Sequence, residues 1–313
     1  MGKSFVFTFH QETNGALFEQ VLLALKKRYR LVNTDELEQL MKSGETLHNI
    51  AHISFDDGHR SFYDTVLPLL QKHAIPVSLF LSPYVVGSEK NFWFQEITDY
   101  DEAVLKKILA GQLNLRQEEL APFPMMAICK CLPFAAIEAM IAAYQRQTGV
   151  LPKPFLNMTR EEVLAAAQTG LVTMGAHSMH HPVLASESDA ACEQEIVDSV
   201  KGLEKILNHP IRYFAYPNGR PGMDFSEREK NILRSAGISM AFSTELAALR
   251  PGADMLNIPR TGFPRMGLTP QNPMIYFRLA MEKKWVDIKS VFRPSEREVR
   301  ERIIKKLKVK NRK

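Results

Sequence analysis

Ala51-His52-Ile53-Ser54-Phe55 runs straight into Asp56-Asp57-Gly58, a short β-type run that stops abruptly at two carboxylates and a glycine. Upstream, residues 4–10 alternate, with Phe5, Phe7 and Phe9 on one side, and read as a first strand. Residues 16–29 then carry Leu17, Val21, Leu22 and Leu25 at helical spacing, as one apolar stripe. Downstream, residues 61–73 again have helical spacing and residues 75–81 read as the next strand. The order strand, helix, strand, helix, strand is that of an α/β fold built on parallel strands.

From about residue 91 to 158 the character changes. No clear strand is visible, and helical stretches are punctuated by Pro122, Pro124, Pro133 and Pro152, so this part reads as a helical insertion beside the sheet. Thr159-Arg160-Glu161-Glu162 is a capping-box pattern that opens a helix. Alternation then resumes, with strands expected at 171–176, 211–216, 239–242 and 256–259 and helices at 189–207 and 226–236. The expected organisation is a barrel-type domain over 1–270 and a helical basic tail over 271–313.

The chain has 313 residues, 45% apolar and 24% charged, the balance of a globular protein that buries its own core. Its three cysteines (Cys129, Cys131 and Cys192) lack zinc-site and redox spacing and are expected to be reduced and buried. The N-terminus shows neither a signal-peptide pattern nor a membrane-span length of apolar sequence, which places the chain, as an expectation, in the cytoplasm. Residues 293–313 hold ten Lys or Arg against three Glu, so a net +5 overall leaves the rest of the chain near neutral, at −2. A basic face spread over a folded domain, the mark of nucleic-acid binding, is therefore not expected. Within the tail, Ile303, Ile304 and Leu307 can line one side of a short helix with a basic opposite side. Such a segment suits peripheral contact with an anionic membrane, or it is simply a solvated, partly disordered end.

Three segments carry chemistry. Asp56 and Asp57 sit where a strand meets a turn, so both carboxylates can converge on the mouth, one on a metal and the other free as a base. The same Asp-Asp-Gly also serves as a plain helix N-cap. His177-Ser178-Met179-His180-His181-Pro182 follows the strand at 171–176. His177 and His181 are four apart, a spacing that brings two imidazoles to one ion, and two His with a carboxylate suit zinc. His180 reads as a loop residue or a partner behind the ligands. Tyr216-Pro217-Asn218-Gly219 is either a β-turn or a backbone N–H held where an oxyanion develops.

In this order, each at a strand end, the segments resemble the polysaccharide deacetylase family, carbohydrate esterase family 4 (the NodB homology domain). The family's Thr-Phe-Asp-Asp-Gly is matched by Ser54-Phe55-Asp56-Asp57-Gly58, and its His-Ser/Thr-x-x-His-Pro by residues 177–182. Its aromatic-Pro-x-Gly is matched by residues 216–219, and the likeness extends over residues 4–265. The resemblance implies a distorted (β/α) barrel of about seven strands. It implies Asp57, His177 and His181 as ligands of a divalent metal, zinc above all, with cobalt or manganese as alternatives. It implies Asp56 as general base toward a water, the Asn218 backbone N–H at the oxyanion, and removal of N-acetyl groups from an amino sugar in a glycan or glycan precursor.

The chain departs from the family at two places. An Arg that orients the base is replaced by Ala215, and the late Leu-x-His that supplies an acid is replaced by Leu256-Asn257-Ile258-Pro259-Arg260. Arg260 either takes over the orienting role or makes a surface salt bridge. His10, at the end of the first strand, is a candidate acid or an ordinary loop histidine, and His59 is expected to face solvent. Phe92, Trp93 and Phe94 offer a sugar-stacking surface or plain core. The alternative functions are a metal-dependent amidase on a small molecule and a non-catalytic sugar-binding relative.

Overall fold

The computed structural model describes residues 2–88, 90–262 and 296–310. The expected domain boundary near residue 270 lies outside them. Among the described residues eight strands form one parallel sheet: β1 (Phe5–Phe9), β2 (Arg30–Leu31), β3 (Ile50–Asp56), β4 (Val77–Leu81), β5 (Val172–Ala176), β6 (Tyr213–Ala215), β7 (Met240–Phe242) and β8 (Thr261–Gly262). Seven run in the order β7-β6-β5-β4-β3-β1-β8, and β2 pairs with β3. Ile258 bridges Phe242 of β7, and four residues later Gly262 pairs with Thr8 of β1. One short segment thus spans the gap between the outer strands, and the sheet curls into a distorted (β/α) barrel. The strand expected at 256–259 is displaced accordingly, to this seam.

Because the strands are parallel, their C-terminal ends share one mouth. Along β3 the period of two separates Ala51, Ile53 and Phe55, packed outward with Phe7 and Phe18, from His52, Ser54 and Asp56, which face the lumen. Low in the lumen, His52 Nδ1–H donates to Val32 O (2.9 Å), and its Nε2 lies within hydrogen-bond distance of Ser78 Oγ (2.8 Å). Polar side chains therefore line the inside of a strand that reads as hydrophobic.

The helix expected over 61–73 opens as a wide π-type turn, Phe62–Val66, before the α-helix Leu67–His73. Pro68 cannot continue an α-helical hydrogen-bond ladder from the preceding turn, and the wider turn absorbs it. The helix Thr34–Ser43 is additional to the expected elements; Asn33 caps it at Glu36 N and Gly44 (φ 73°) ends it in the left-handed region.

The insertion packs as its own cluster of helices around Leu105, Leu109, Ile128, Ile137 and Met140. Onto it docks the helix Glu296–Lys310, with Ile303 buried and Val299, Ile304 and Leu307 partly buried against the same cluster. This corrects the reading of the tail as a solvated end: over 296–307 the apolar side is occupied by protein. Arg300, 2% exposed, pairs with the buried Asp224 and donates to Lys130 O, fixing the helix to the loop after β6. All three cysteines are free and buried. No helix among the described residues is long and apolar enough to cross a membrane.

Candidate metal centre

Asp56 is the last residue of β3, and Asp57 (φ 70°) and Gly58 (φ 69°) follow in the left-handed region. Two successive left-handed residues reverse the chain at once, and Gly58 N–H closes the turn on Asp56 O at 2.9 Å. A Cβ at Gly58 would also meet Leu81 Cδ2 at 2.3 Å. For Asp57, Ser178 and His181, which carry a Cβ, positive φ costs on the order of 1–2 kcal/mol each. All three lie at this mouth.

The reversal sends the two neighbouring carboxylates into different surroundings. Asp57 Oδ1 lies 3.6 Å from His177 Nε2 and 3.5 Å from His181 Nε2. One ligand atom from each of the three residues falls within 4.8 Å of the others, a group that could hold a metal ion. His177 directly follows β5, and its Nδ1–H donates to Ala215 O at the end of β6 (2.7 Å), which leaves Nε2 as the lone-pair nitrogen. Burial pushes the His181 imidazole down to about 4, with His177 adding to the effect and Asp57 opposing it, so the ring is neutral, as a ligand must be. Among the described residues, buried Asp57 Oδ1 and His181 Nδ1 find no hydrogen-bond partner. A buried carboxylate oxygen facing two imidazole nitrogens without a proton donor fits a cation at that point. The residues present therefore suit a divalent ion.

Asp56 is saturated by contrast. Arg260 Nη1 donates to Oδ1 (2.7 Å) and Nη2 to Oδ2 (2.8 Å), a bidentate pair in which Arg260 is 0% exposed. Burial alone would raise the Asp56 pKa. The Arg260 guanidinium, with His177 and His10, outweighs it and holds the carboxyl well below the usual carboxylate range. Arg260 is seated in turn by Ser243 O (3.1 Å to Nε) and Ser54 Oγ (3.3 Å to Nη1), and lies over the rings of Phe80 and Phe242. Its ion pair with Asp56 is buried, not a surface salt bridge. His10 stands at the rim, with Nε2 3.7 Å from Asp56 Oδ2 and its side chain 49% exposed.

Asn218 (φ 60°) occupies the turn after β6, with Gly219 N–H on Pro217 O at 2.7 Å, and its buried Nδ2 makes no hydrogen bond. His180 turns away to Glu195 (2.6 Å) and stacks on Phe134. His59, expected in solvent, is only partly exposed and lies within hydrogen-bond distance of Ser61 Oγ at 3.0 Å. Phe92 and Trp93 are buried at 1% and 4%, so as a stacking surface for sugars they are excluded, while Phe94 is partly exposed with its ring edge-on to His181. Sequence reasoning misses Ser54 and Ser243, the seat of Arg260. Ser243 follows β7 directly, and its only signal is that of a polar residue at a strand end.

The family model for polysaccharide deacetylase matches residues 129–241, a stretch that holds β5, the His177–Pro182 loop, β6 and the turn at Asn218. Over that stretch the chain is similar to the polysaccharide deacetylase family. The Asp56-Asp57 pair lies before the matched stretch and joins the site through the fold. Among solved structures, IcaB from Ammonifex degensii aligns with a TM-score of 0.56 at 19% identity, over 85% of this chain and 93% of that one. The Streptococcus pyogenes deacetylase PplD in complex with acetate aligns with a TM-score of 0.57 at 15% identity, over 86% and 96%. A de-N-acetylase from Aggregatibacter actinomycetemcomitans gives 0.53 at 14%, over 83% and 97%. At these identities the likeness is one of fold. No curated protein matches.

Proposed function

We propose that this chain is a polysaccharide deacetylase family hydrolase that removes N-acetyl groups from an amino sugar of a glycan or glycan precursor, with Asp57, His177 and His181 holding a divalent ion, zinc first and cobalt or manganese as alternatives. The observation that carries the reading is the pairing of two carboxylates: Asp57 Oδ1, unpartnered between two imidazoles, beside Asp56, locked as an anion by Arg260. An ion held there supplies Lewis acidity, lowering the pKa of a water and polarising an acyl oxygen. Asp56 takes the proton from the attacking water, whose oxygen bonds to the acyl carbon. A carboxylate with so low a pKa is a weak base, so it matches a water made acidic and not a bulk one. Arg260 keeps Asp56 ionised and fixes its plane. The Asn218 backbone N–H is assigned to the developing oxyanion. His10 gives a proton to the nitrogen as the C–N bond breaks, and acetate and a free amino sugar leave. The Aggregatibacter de-N-acetylase supports the N-acetyl substrate by its own activity.

Acetate release from N-acetylhexosamine oligomers, set against release from small amides, tests the reading. Asp56→Asn should abolish release, and His10→Ala should lower it by about 10²–10⁴-fold, the usual worth of a positioned acid. Persistent activity in Asp56→Asn sinks the mechanism, and near wild-type activity in His10→Ala removes His10 from it. Faster turnover of small amides favours the amidase, and zinc-loaded protein inert on all of them favours the binding relative.

A further inference from the structure

The two histidines of the centre are held in different ways. His177 has its ring fixed from behind, by Nδ1–H to Ala215 O at 2.7 Å. His181 has no such bond among the described residues, where its buried Nδ1 finds no partner. A histidine that ligates a metal usually has its second nitrogen tied to a carbonyl or carboxylate, which sets tautomer and ring orientation. His181 also sits at φ 59°, a backbone conformation that survives only where its surroundings over-determine it.

What surrounds it comes from the first turn of the helical insertion. Trp93 Nε1–H donates to His181 O at 2.9 Å, and the rings of Phe92 and Phe94 meet the imidazole edge-on at 5.5 and 5.0 Å. This turn is itself clamped. Asn91 Nδ2 donates to Glu96 Oε1 and Pro154 O, both at 2.9 Å, and Asn91 Oδ1 accepts from Leu156 N. Gln95 and Asn157 exchange two amide hydrogen bonds, at 2.8 and 2.9 Å. Residues 91–97 and 153–158 thus form the stem of the insertion, and its returning segment reaches the other ligand loop, with Met158 N–H on Gly58 O and Arg60 N–H on Leu156 O, both at 2.9 Å. The stem therefore touches both loops that carry ligands, Asp57's on one side and His181's on the other.

We infer that Trp93 is a positioning residue for His181, and that through it the helical insertion sets the metal affinity of the centre. This rests on the reading of Asp57, His177 and His181 as a metal centre. The indole N–H fixes the His181 carbonyl, and with it the left-handed backbone, while Phe92 and Phe94 fix the ring plane that a hydrogen bond at Nδ1 would otherwise fix.

The test is zinc affinity by competition with a chromophoric chelator, joined to the visible absorption of the cobalt-loaded protein. Trp93→Phe keeps an aromatic ring and removes the N–H. It should weaken zinc binding by about 10–100-fold, the usual effect of losing support behind a ligand, and alter the cobalt spectrum. Leu109→Ala, in the same apolar cluster as Trp93 but with no bond to His181, should lower the melting temperature and leave affinity at the wild-type value. Unchanged affinity in Trp93→Phe overturns the inference, as does an equal loss in Leu109→Ala, which would make the effect general destabilisation. Should Trp93→Phe not fold, Gln95→Ala opens the stem clamp and should weaken affinity in the same direction, and no change there overturns the inference too. Wild-type protein that binds no divalent ion would instead remove the metal centre itself.

Discussion

Asp56 and Asp57 are adjacent in the chain, yet the fold treats their carboxylates oppositely. Asp56 is closed off by protein: both oxygens are taken by Arg260, and the guanidinium is seated by Ser243, Ser54 and two aromatic rings. Asp57 is left open, one oxygen buried between two imidazoles without a donor. A buried carboxylate needs a cation, and the two differ in where it comes from. For Asp56 it is built into the chain, so the group stays anionic whatever the solution holds. For Asp57 it must arrive from outside, which makes that half of the site a binding site.

The largest expected effect comes from removing the built-in cation. Arg260→Met leaves Asp56 buried and unpaired and should cost about 3–5 kcal/mol of stability in urea unfolding. Arg260→Lys keeps the charge without the bidentate fork and should cost less. A near-neutral Arg260→Met would mean that water or another donor already satisfies Asp56, and the contrast between the two carboxylates would collapse.

Next in size is a pH effect on the closed side. Burial holds His52, below Arg260 in the lumen, down at about 4 against an ordinary 6.5, the Val32 carbonyl opposing and Arg260 adding. The folded state keeps it neutral where the unfolded chain binds a proton. Its stabilisation is full above pH 6.5 and is lost as pH falls toward 4, by about 3 kcal/mol at the 1.36 kcal/mol per pKa unit of a buried group. Unfolding midpoints between pH 7.5 and 4 should fall more steeply for wild type than for His52→Gln. Parallel curves would remove His52 from the account.

The smallest effect belongs to the open side. Zinc at about 100 times its dissociation constant should stabilise the metal-free protein by about 2.7 kcal/mol, visible as a rise in melting temperature that a chelator reverses. Asp57→Asn should abolish most of that rise while leaving the Arg260 pair intact. A rise that survives Asp57→Asn would place the ion elsewhere.

Much of this molecule is legible in its sequence. The strands β1, β3, β4, β5, β6 and β7 and the order of the three loops follow from alternation, capping residues and turn residues, all local in the chain. The helix Thr34–Ser43 is marked at its ends, by Asn33 and Gly44, but its apolar positions are too few for periodicity to announce it. The tail misleads for a different reason: its apolar residues have no partner within their own segment, and the one they find is about 160–200 residues away in the insertion.

The sequence by itself determined which residues stand at strand ends, and so Asp56, Asp57, His177 and His181, because hydrogen-bond geometry imposes its periods on neighbouring residues. Only the tertiary structure decided that Arg260 meets Asp56 across 204 residues, that one short segment spans the open side of the barrel, and that Trp93 lies against His181. Those contacts are set by burial and by which loops close on one another, and a local pattern of side chains carries no record of either.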